Sequence, residues 1–276
     1  MNTTNTTAPE SLEETLAAVA AGTLSPAAAA EKLKEGEVRY LDVAALDLGR
    51  AARKGVPEIV YAPGKTPEQA ARICAVMLEG RERVIVSSPN EEHERLIRET
   101  LPEAPVKSAG RALIVGTGEP NLTGGRLYAI GAGTSDLPVL EEAVAVAREM
   151  GVAVMTTHDV GVAGLHRLRG PLEELRAFDP DCLIVAAGME GALPTLVSGL
   201  VAVPVVGLPT SVGYGLGGDG TAAILGMLQS CSPGLSVVNV DNGVGAGATA
   251  ALIANRAALY RDGSRSDGRA PNTVAP

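Results

Sequence analysis

Residues 127–138 read LYAIGAGTSDLP, an apolar run followed by a glycine-rich turn and the start of a helix. Similar apolar runs recur at 152–156, 182–186, 204–208 and 236–240, separated by helical segments at 137–150, 164–177, 192–199, 221–229 and 246–260. Strands that alternate with helices predict βαβ units and a parallel sheet. We therefore predict an α/β domain over residues 126–260, with a doubly wound, flavodoxin-like parallel sheet and a ligand crevice at the carboxyl ends of its strands.

The sequence upstream predicts a smaller α/β domain over residues 10–115. Its expected helices are 12–20, 26–33, 67–79 and 91–99, and its expected strands are 58–61, 83–87 and 112–115. A charged stretch at 43–53 is also interpreted as helical. The ends of the chain, residues 1–9 and 261–276, are polar and aperiodic, so we expect them to be disordered.

The composition excludes several classes of protein. Aliphatic residues must build the core, because aromatic residues are only 2% of the chain. The net charge of −9 argues against a nucleic-acid-binding surface. No apolar run reaches the length of about 18 residues that a membrane-spanning helix needs. Three cysteines are too few and too scattered for a disulfide framework, which favours a reducing cytoplasm.

Two predicted loops carry candidate ligand-binding residues at strand ends. The first loop offers Gly133, Thr134, Ser135 and Asp136, and the second offers Asp159, His166 and Arg167. Glycines let a backbone approach a ligand closely, and the amino end of the following helix attracts phosphate. The simpler interpretations are that Asp136 caps a helix and that His166 and Arg167 form a solvated helix end. Spacing of the histidines is not diagnostic of a metal site.

Further glycines follow the third and fourth predicted strands. The segment 188–194 reads GMEGALP and offers Gly188, Met189 and Glu190, and the segment 209–220 reads PTSVGYGLGGDG and offers Gly217 and Gly218. Glu190 can act as a proton acceptor if it is partly desolvated, or it can simply complement a helix dipole. Gly215, Gly217 and Gly220, with Asp241 about twenty residues later, match the GxGxxG dinucleotide pattern. Six residues separate Leu208 from that pattern, which is poor geometry for it.

Cys231 differs from the other two cysteines. Cys74 and Cys182 fall within a predicted helix and a predicted strand, where a thiol is normally buried and inert. Cys231 lies in a turn-like segment, QSCSPG, after a predicted helix. A helix carboxyl end disfavours a thiolate, so a reactive Cys231 needs a positive charge nearby.

Several of these motifs, in this order, resemble those of carboxyaminoimidazole ribonucleotide mutases of purine biosynthesis. The segments concerned are GTSD, AGLHR, GMEGALP and PTSVGYGLGGDG. A closer resemblance is to the related pyridinium-3,5-biscarboxylic acid mononucleotide synthases of nickel-pincer cofactor synthesis. That resemblance extends to LDLGRAARKGVPEIVYAPGKT (46–66) and CSPGLSVVNVDNGVGAG (231–247). The mutase has a histidine near this motif, whereas here the region reads GMEGALP with Glu190, which disfavours the purine reaction.

The resemblance implies carboxylation of nicotinic acid adenine dinucleotide by CO₂, with hydrolysis of the phosphoanhydride to release AMP. Cys231 is then the nucleophile and Glu190 the base. The other candidates would hold phosphates, ribose or the new carboxylate. Mg²⁺ is a candidate aid to hydrolysis, without a dedicated site in the sequence. The resemblance also implies a PurE-like catalytic domain and a homo-oligomer, an octamer by analogy.

Two other functions stay open. The GxGxxG match allows an NAD-dependent oxidoreductase, and the same pocket allows a non-catalytic nucleotide sensor. The role of the N-terminal domain is not evident from the sequence. Arg50, Lys54 and Lys65 either shape a pocket or form a solvated charged surface, and the second interpretation is preferred.

Overall fold

The computed structural model of this protein describes residues 12–35, 38–42 and 44–261. Its N-terminal half contains α1 (Leu12–Ala20), α2 (Pro26–Glu35), β1 (Val38–Tyr40), β2 (Ala45–Asp47), α3 (Arg50–Lys54), β3 (Ile59–Tyr61), α4 (Pro67–Leu78), β4 (Arg83–Ser87), α5 (Glu91–Thr100), β5 (Val106–Ala109) and β6 (Ala112–Gly116). The segments predicted to be disordered lie outside the described residues, except for Arg261. No helix in the described ranges combines the length and hydropathy needed to cross a membrane.

The C-terminal half alternates strands and helices. It contains β7 (Arg126–Gly131), α6 (Leu137–Glu149), β8 (Ala153–Thr157), α7 (Arg169–Phe178), β9 (Cys182–Ala187), α8 (Ala192–Ser198), β10 (Val205–Pro209), α9 (Thr221–Leu228), β11 (Leu235–Val237) and α10 (Gly243–Arg261). The five strands pair in parallel in the order β11-β10-β9-β7-β8. This is the predicted flavodoxin-like order, and the fold class is confirmed.

Helices cover both faces of this sheet. One apolar cluster joins α6 and α10 to one face, and it includes Leu140, Val146 and Ala250. A second cluster joins α7, α8 and α9 to the other face, and it includes Leu193 and Met227. Right-handed crossovers in a parallel sheet produce this double winding, and they bring all strand carboxyl ends to one edge.

Helix α6 lies between the two sheets. Residues from α6 and residues from the N-terminal sheet, such as Ile85 and Ile114, belong to the same buried cluster. A helix that is buried on opposite faces must be apolar nearly all round, which explains the Ala- and Val-rich sequence 139–147. Polar contacts reinforce the junction, because Arg83 Nε donates to Glu149 Oε2 at 2.8 Å.

The N-terminal sheet has the order β3-β4-β6-β5, with β3 and β4 parallel and the other pairs antiparallel. The prediction of a helical stretch at 43–53 was wrong. Residues 45–47 form β2, which pairs with β1 as a short hairpin and buries Leu46. Only Arg50–Lys54 is helical, and Gly55 ends that helix in a left-handed conformation (φ 72°). Val43 lies outside the described residues.

Three boundaries in the C-terminal half also differ from prediction. The last strand is 235–237 rather than 236–240, because the chain leaves the sheet towards a left-handed turn at Asp241 (φ 57°). The helix predicted at 164–177 begins as a 3₁₀ segment, Val162–Leu168, which is kinked at Gly164. Helix α10 continues to Arg261, one residue into the segment predicted to be disordered.

Candidate active site at the carboxyl end of the sheet

The loops after β7 and β10 are joined through Asp136. Its Oδ2 accepts from the Gly133 backbone N–H at 2.9 Å, and its Oδ1 accepts from Thr210 Oγ1 at 2.6 Å. Asp136 and Thr210 are both buried. Asp136 makes no side-chain cap on α6, but its carboxylate caps the 3₁₀ turn Thr134–Asp136 that precedes this helix, so the capping interpretation holds for that turn. Both carboxylate oxygens are used within the protein, and Asp136 therefore positions the loop that presents Thr134 and Ser135.

The loop after β9 packs closely against the loop after β10. The Met189 N–H donates to the Val212 carbonyl at 2.7 Å, and a Cβ at Gly188 would lie 2.1 Å from the same oxygen. Only glycine fits at position 188 for this reason. Met189 adopts a left-handed conformation (φ 52°), and the side chain of Glu190 is exposed at the edge of the sheet. The turn thus presents Glu190 from a tightly held backbone.

The loop after β8 carries an ion pair. Arg167 Nη1 donates to the Asp159 carbonyl at 2.9 Å and lies 3.1 Å from Asp159 Oδ1. The guanidinium also lies against Gly164, where a Cβ would meet it. His166 is exposed on the same 3₁₀ segment. Arg167 is therefore held in place by its own loop and remains partly open to an anionic ligand.

The predicted glycines after β10 form a turn rather than a dinucleotide loop. Residues Gly215–Gly217 are 3₁₀, Gly218 ends that turn, and Gly220 precedes α9 in a left-handed conformation. A dinucleotide fingerprint needs the strand to run directly into the helix, whereas eleven residues separate Pro209 from Thr221. Asp241 is also engaged, because it accepts from Ser211 N–H at 2.9 Å and from Ser211 Oγ at 2.7 Å.

Cys231 lies at the other end of the sheet. It follows α9 and precedes β11, and nearby Ser232 Oγ donates to the Thr195 carbonyl near the end of α8. Four steps of about 3.3 Å carry a strand such as β10 about 13 Å from one edge to the other. The structure therefore brings Glu190, Ser135, Asp159 and Arg167 to one edge and leaves Cys231 at the opposite edge of the same chain.

The three cysteines also differ in exposure. Cys231 is exposed, whereas Cys74 and Cys182 are buried. Burial raises the pKa of both the Cys74 and Cys182 thiols to about 12. These two thiols are consequently protonated at physiological pH, and Cys231 is the thiol that solvent reaches.

A second polar site lies between the two sheets. The preferred interpretation of Arg50 and Lys54 as solvated surface charges was wrong, because both line this site, whereas Lys65 does not. The cavity of this site has a volume of about 760 Å³ and is lined from both halves of the chain by Arg50, Lys54, Ser87, Arg111, Glu142 and Asp241, among others. Glu142 is almost fully buried and accepts from Ser87 Oγ at 2.7 Å. Burial raises the pKa of Glu142, which Ser87 and Arg111 partly offset. These residues are far apart in the sequence, so no local motif indicates the site.

Two domain families match the chain in the order of its two sheets. Residues 38–117 match the LarB/PurE-like N-terminal domain, and residues 127–265 match the AIR carboxylase family. This chain belongs to the LarB/PurE-like family. A relative from Methanocaldococcus jannaschii, the uncharacterized protein MJ0165, is 39% identical over 216 residues, which cover 76% of this chain and 83% of the relative.

Membership in the LarB/PurE-like family identifies a carboxylase/mutase-type function for the C-terminal domain. The family's two domains correspond to the mixed sheet and the parallel sheet. Within the described part of the chain, no three His, Cys, Asp or Glu side chains converge as a metal-binding group would require.

Proposed function

We propose that this LarB/PurE-like protein carboxylates the pyridinium ring of nicotinic acid adenine dinucleotide and hydrolyses its phosphoanhydride. The products are pyridinium-3,5-biscarboxylic acid mononucleotide and AMP, and the reaction begins nickel-pincer cofactor synthesis. Support comes from the order of the motifs over both domains and from the segment GMEGALP (188–194), which carries Glu190 and lacks the histidine of the corresponding mutase motif. CO₂ is the co-substrate, a reducing cytoplasm suits the three free thiols, and Mg²⁺ is a candidate aid to hydrolysis.

A pyridinium ring is electron-poor and cannot attack CO₂ directly. Addition of a thiolate para to the ring nitrogen gives a dihydropyridine, whose free meta carbon is nucleophilic. That carbon attacks CO₂, a base removes its proton, and expulsion of the thiolate restores the aromatic ring. Water separately cleaves the phosphoanhydride. In this scheme Cys231 supplies the sulfur and Glu190 accepts the proton.

Cys231 and Glu190 are far apart within one chain, which limits how a nucleophile and a base can act on the same ring. The two residues lie at opposite edges of one sheet, so one chain does not bring them to the same pyridinium ring. We propose that the sulfur of one chain completes the strand-end site of another chain. The nucleophile and the base of one site then come from two different chains.

The surface around these residues supports such an assembly. Leu225 and Leu228 on α9, Leu196 on α8, and Tyr214 and Leu216 in the loop after β10 are exposed. Contiguous exposed apolar side chains typically mark contact surfaces. We therefore propose a homo-oligomer, an octamer by analogy with the mutase-like domains, in which this face is covered.

Ligand contacts follow from the strand-end edge. Arg167 is proposed to bind a phosphate or a carboxylate, together with Asp159 and His166 from the same loop. Ser135, Thr134 and the Gly133 backbone are proposed to contact the ribose or a phosphate. Gly188, Met189, Gly217 and Gly218 shape the wall beside Glu190. Asp136 acts by holding the first of these loops.

The reaction is tested by incubating the full chain with nicotinic acid adenine dinucleotide and labelled bicarbonate. We expect mass spectrometry to show AMP and a mononucleotide that carries one additional labelled carboxylate. Cys231→Ser and Glu190→Gln should each lower the rate at least about a thousandfold, as is usual for a nucleophile and its base. Unlabelled product, or hydride transfer from NAD instead, would refute carboxylation.

Co-expression of Cys231→Ser with Glu190→Gln tests whether two chains share one site. Random assembly leaves about a quarter of the sites with one intact sulfur and one intact carboxylate, so about a quarter of the wild-type rate should return. The control is co-expression of Cys231→Ser with the Cys231→Ser/Glu190→Gln double variant. No chain in this mixture has Cys231, so the mixture should stay inactive. Failure of the first mixture to recover any activity would contradict a shared site.

A further inference from the structure

Two cations of α3 face the cavity between the sheets. Arg50 and Lys54 are four residues apart, so they lie on one face of the helix, and both line the cavity. Like charges at this spacing destabilise a helix. The neighbouring Arg53 does not line the cavity and pairs with Asp47. An anion in the cavity would relieve the repulsion between Arg50 and Lys54.

Helix α3 is fixed in this position by its contact with α10. Gly55 ends α3 with a positive φ of 72°, and a Cβ there would lie 3.3 Å from Leu252 Cδ2. Leu252 belongs to α10 and also lines the cavity. The end of α3 therefore lies beside the middle of α10.

The three cations of the cavity differ in whether they pair with a carboxylate. Arg50 lies 3.1 Å from Glu58, and Arg111 lies 3.1 Å from Asp241. Among the described residues, no carboxylate pairs with the ammonium group of Lys54. The remaining acid, Glu142, is buried against Ser87 and the start of α10. The cavity consequently retains capacity for an added negative charge.

Part of the cavity wall is apolar. Val56, Ile59, Tyr61, Val244 and Leu252 form it. Small-molecule sites typically have volumes of about 300–1,000 Å³ and combine such a wall with a few polar groups. An inorganic phosphate would occupy only a small part of about 760 Å³. The shape thus calls for an anion that carries an apolar or flat body.

We propose that this cavity binds a nucleoside monophosphate, with the phosphate at Arg50, Lys54 and Arg111 and the nucleoside against the apolar wall. The proposal gives the N-terminal domain a ligand-binding role. It does not rest on the carboxylation reaction, because neither Cys231 nor Glu190 lines the cavity.

Binding of AMP to the full chain, measured by isothermal titration calorimetry at low salt, tests the proposal. Arg50→Gln/Lys54→Gln should weaken AMP binding at least about tenfold, since each loses a charge-assisted contact. Arg95→Gln removes a positive charge from exposed α5 outside the cavity and should leave the affinity unchanged. Inorganic phosphate should bind the wild type more weakly than AMP, because it cannot contact the apolar wall.

Arg167→Gln separates this cavity from the strand-end loops, where AMP would bind as a reaction product. If Arg167→Gln abolishes AMP binding and the α3 variants do not, the cavity is not the AMP site. Absence of AMP binding to the wild type would equally overturn the proposal. The double variant loses the Arg50–Glu58 ion pair and could fold poorly for that reason. The single variant Lys54→Gln changes an exposed residue and keeps this pair, so it provides the same test in a folded protein. Loss of carboxylase activity in any of these proteins bears only on the proposed reaction.

Discussion

The two ends of the five-stranded sheet hold their loops in different ways. At the carboxyl end, buried Asp136 joins two loops, and Gly188 allows a third to pack against them. At the amino end, the segment around Cys231 is exposed, and hydroxyl groups of Ser232 and Ser198 secure it to nearby carbonyls. A rigid edge suits the orientation of a ligand, whereas an exposed segment suits contact with another chain.

The largest expected effect is the difference in labelling rate between Cys231 and the two buried cysteines. Cys182 and Cys231 both lie at the amino end, but only Cys231 is exposed. With a pKa of about 12, the Cys182 and Cys74 thiols are only about 10⁻⁴ ionised at pH 8, and burial blocks the reagent as well. An aromatic disulfide reagent should therefore label one thiol at least about a thousandfold faster than the others. Cys231→Ser should remove the fast phase, and a fast phase that persists would contradict the assignment.

Gly188→Ala should cause the largest loss of stability at the carboxyl end. The added methyl group would overlap the Val212 carbonyl, so the loops after β9 and β10 must separate. We expect the free energy of unfolding to fall by about 3 kcal/mol, measured by urea denaturation. Gly170→Ala is the matched control, because nothing lies within 4 Å of its Cβ position near the start of α7. Equal stabilities of the two variants would show that the loops are not tightly packed.

Thr210→Val should have a smaller effect. It removes the hydroxyl that donates to Asp136 Oδ1 and leaves a buried carboxylate oxygen without that donor. The expected cost is about 1–3 kcal/mol in the free energy of unfolding. Thr117→Val, at an exposed position, should change stability by less than about 0.5 kcal/mol. The same denaturation assay distinguishes the two outcomes.

Glu142→Gln should give the smallest effect, visible as a change in pH dependence. Because burial raises the pKa of Glu142 in the folded protein, folding favours its protonated form. Its contribution to stability is thus present below its ordinary pKa near 4.5 and is lost as pH rises through the folded-state value. Compared with the wild type, Glu142→Gln should lose less stability between pH 4.5 and pH 8. A greater loss in the variant would mean that Arg111 outweighs burial.

Much of the parallel sheet follows from local sequence patterns. Buried parallel strands are short apolar runs, and the glycine-rich turns mark their ends, so the parallel sheet and the edge that carries the loops were predictable. The hairpin of β1 and β2 was missed because its strands have three residues each and the charged residues around Leu46 imitate a helical pattern. Its structure depends on pairing and on burial of one leucine, which local pattern does not indicate.

The candidate site was less predictable than the fold. Glu190 and Arg167 could be assigned to the strand-end edge because each follows a strand. The edge occupied by Cys231 follows from the same alternation, since a segment between a helix and the next strand lies where strands begin. The cavity at Arg50 and Lys54 could not be predicted, because its walls come from segments nearly 200 residues apart. The sequence signal that pointed to this cavity was the presence of two cations, Arg50 and Lys54, four residues apart on one short helix.

Thr210 and Ser211 are adjacent in the sequence, yet their side chains form hydrogen bonds at two different sites. Thr210 Oγ1 donates to Asp136 beside the strand-end loops, and Ser211 donates to Asp241, which lines the cavity between the sheets. One peptide unit therefore connects the two sites. A rotation of that peptide would strain both hydrogen bonds at once, so the contacts at the two places constrain the same stretch of backbone.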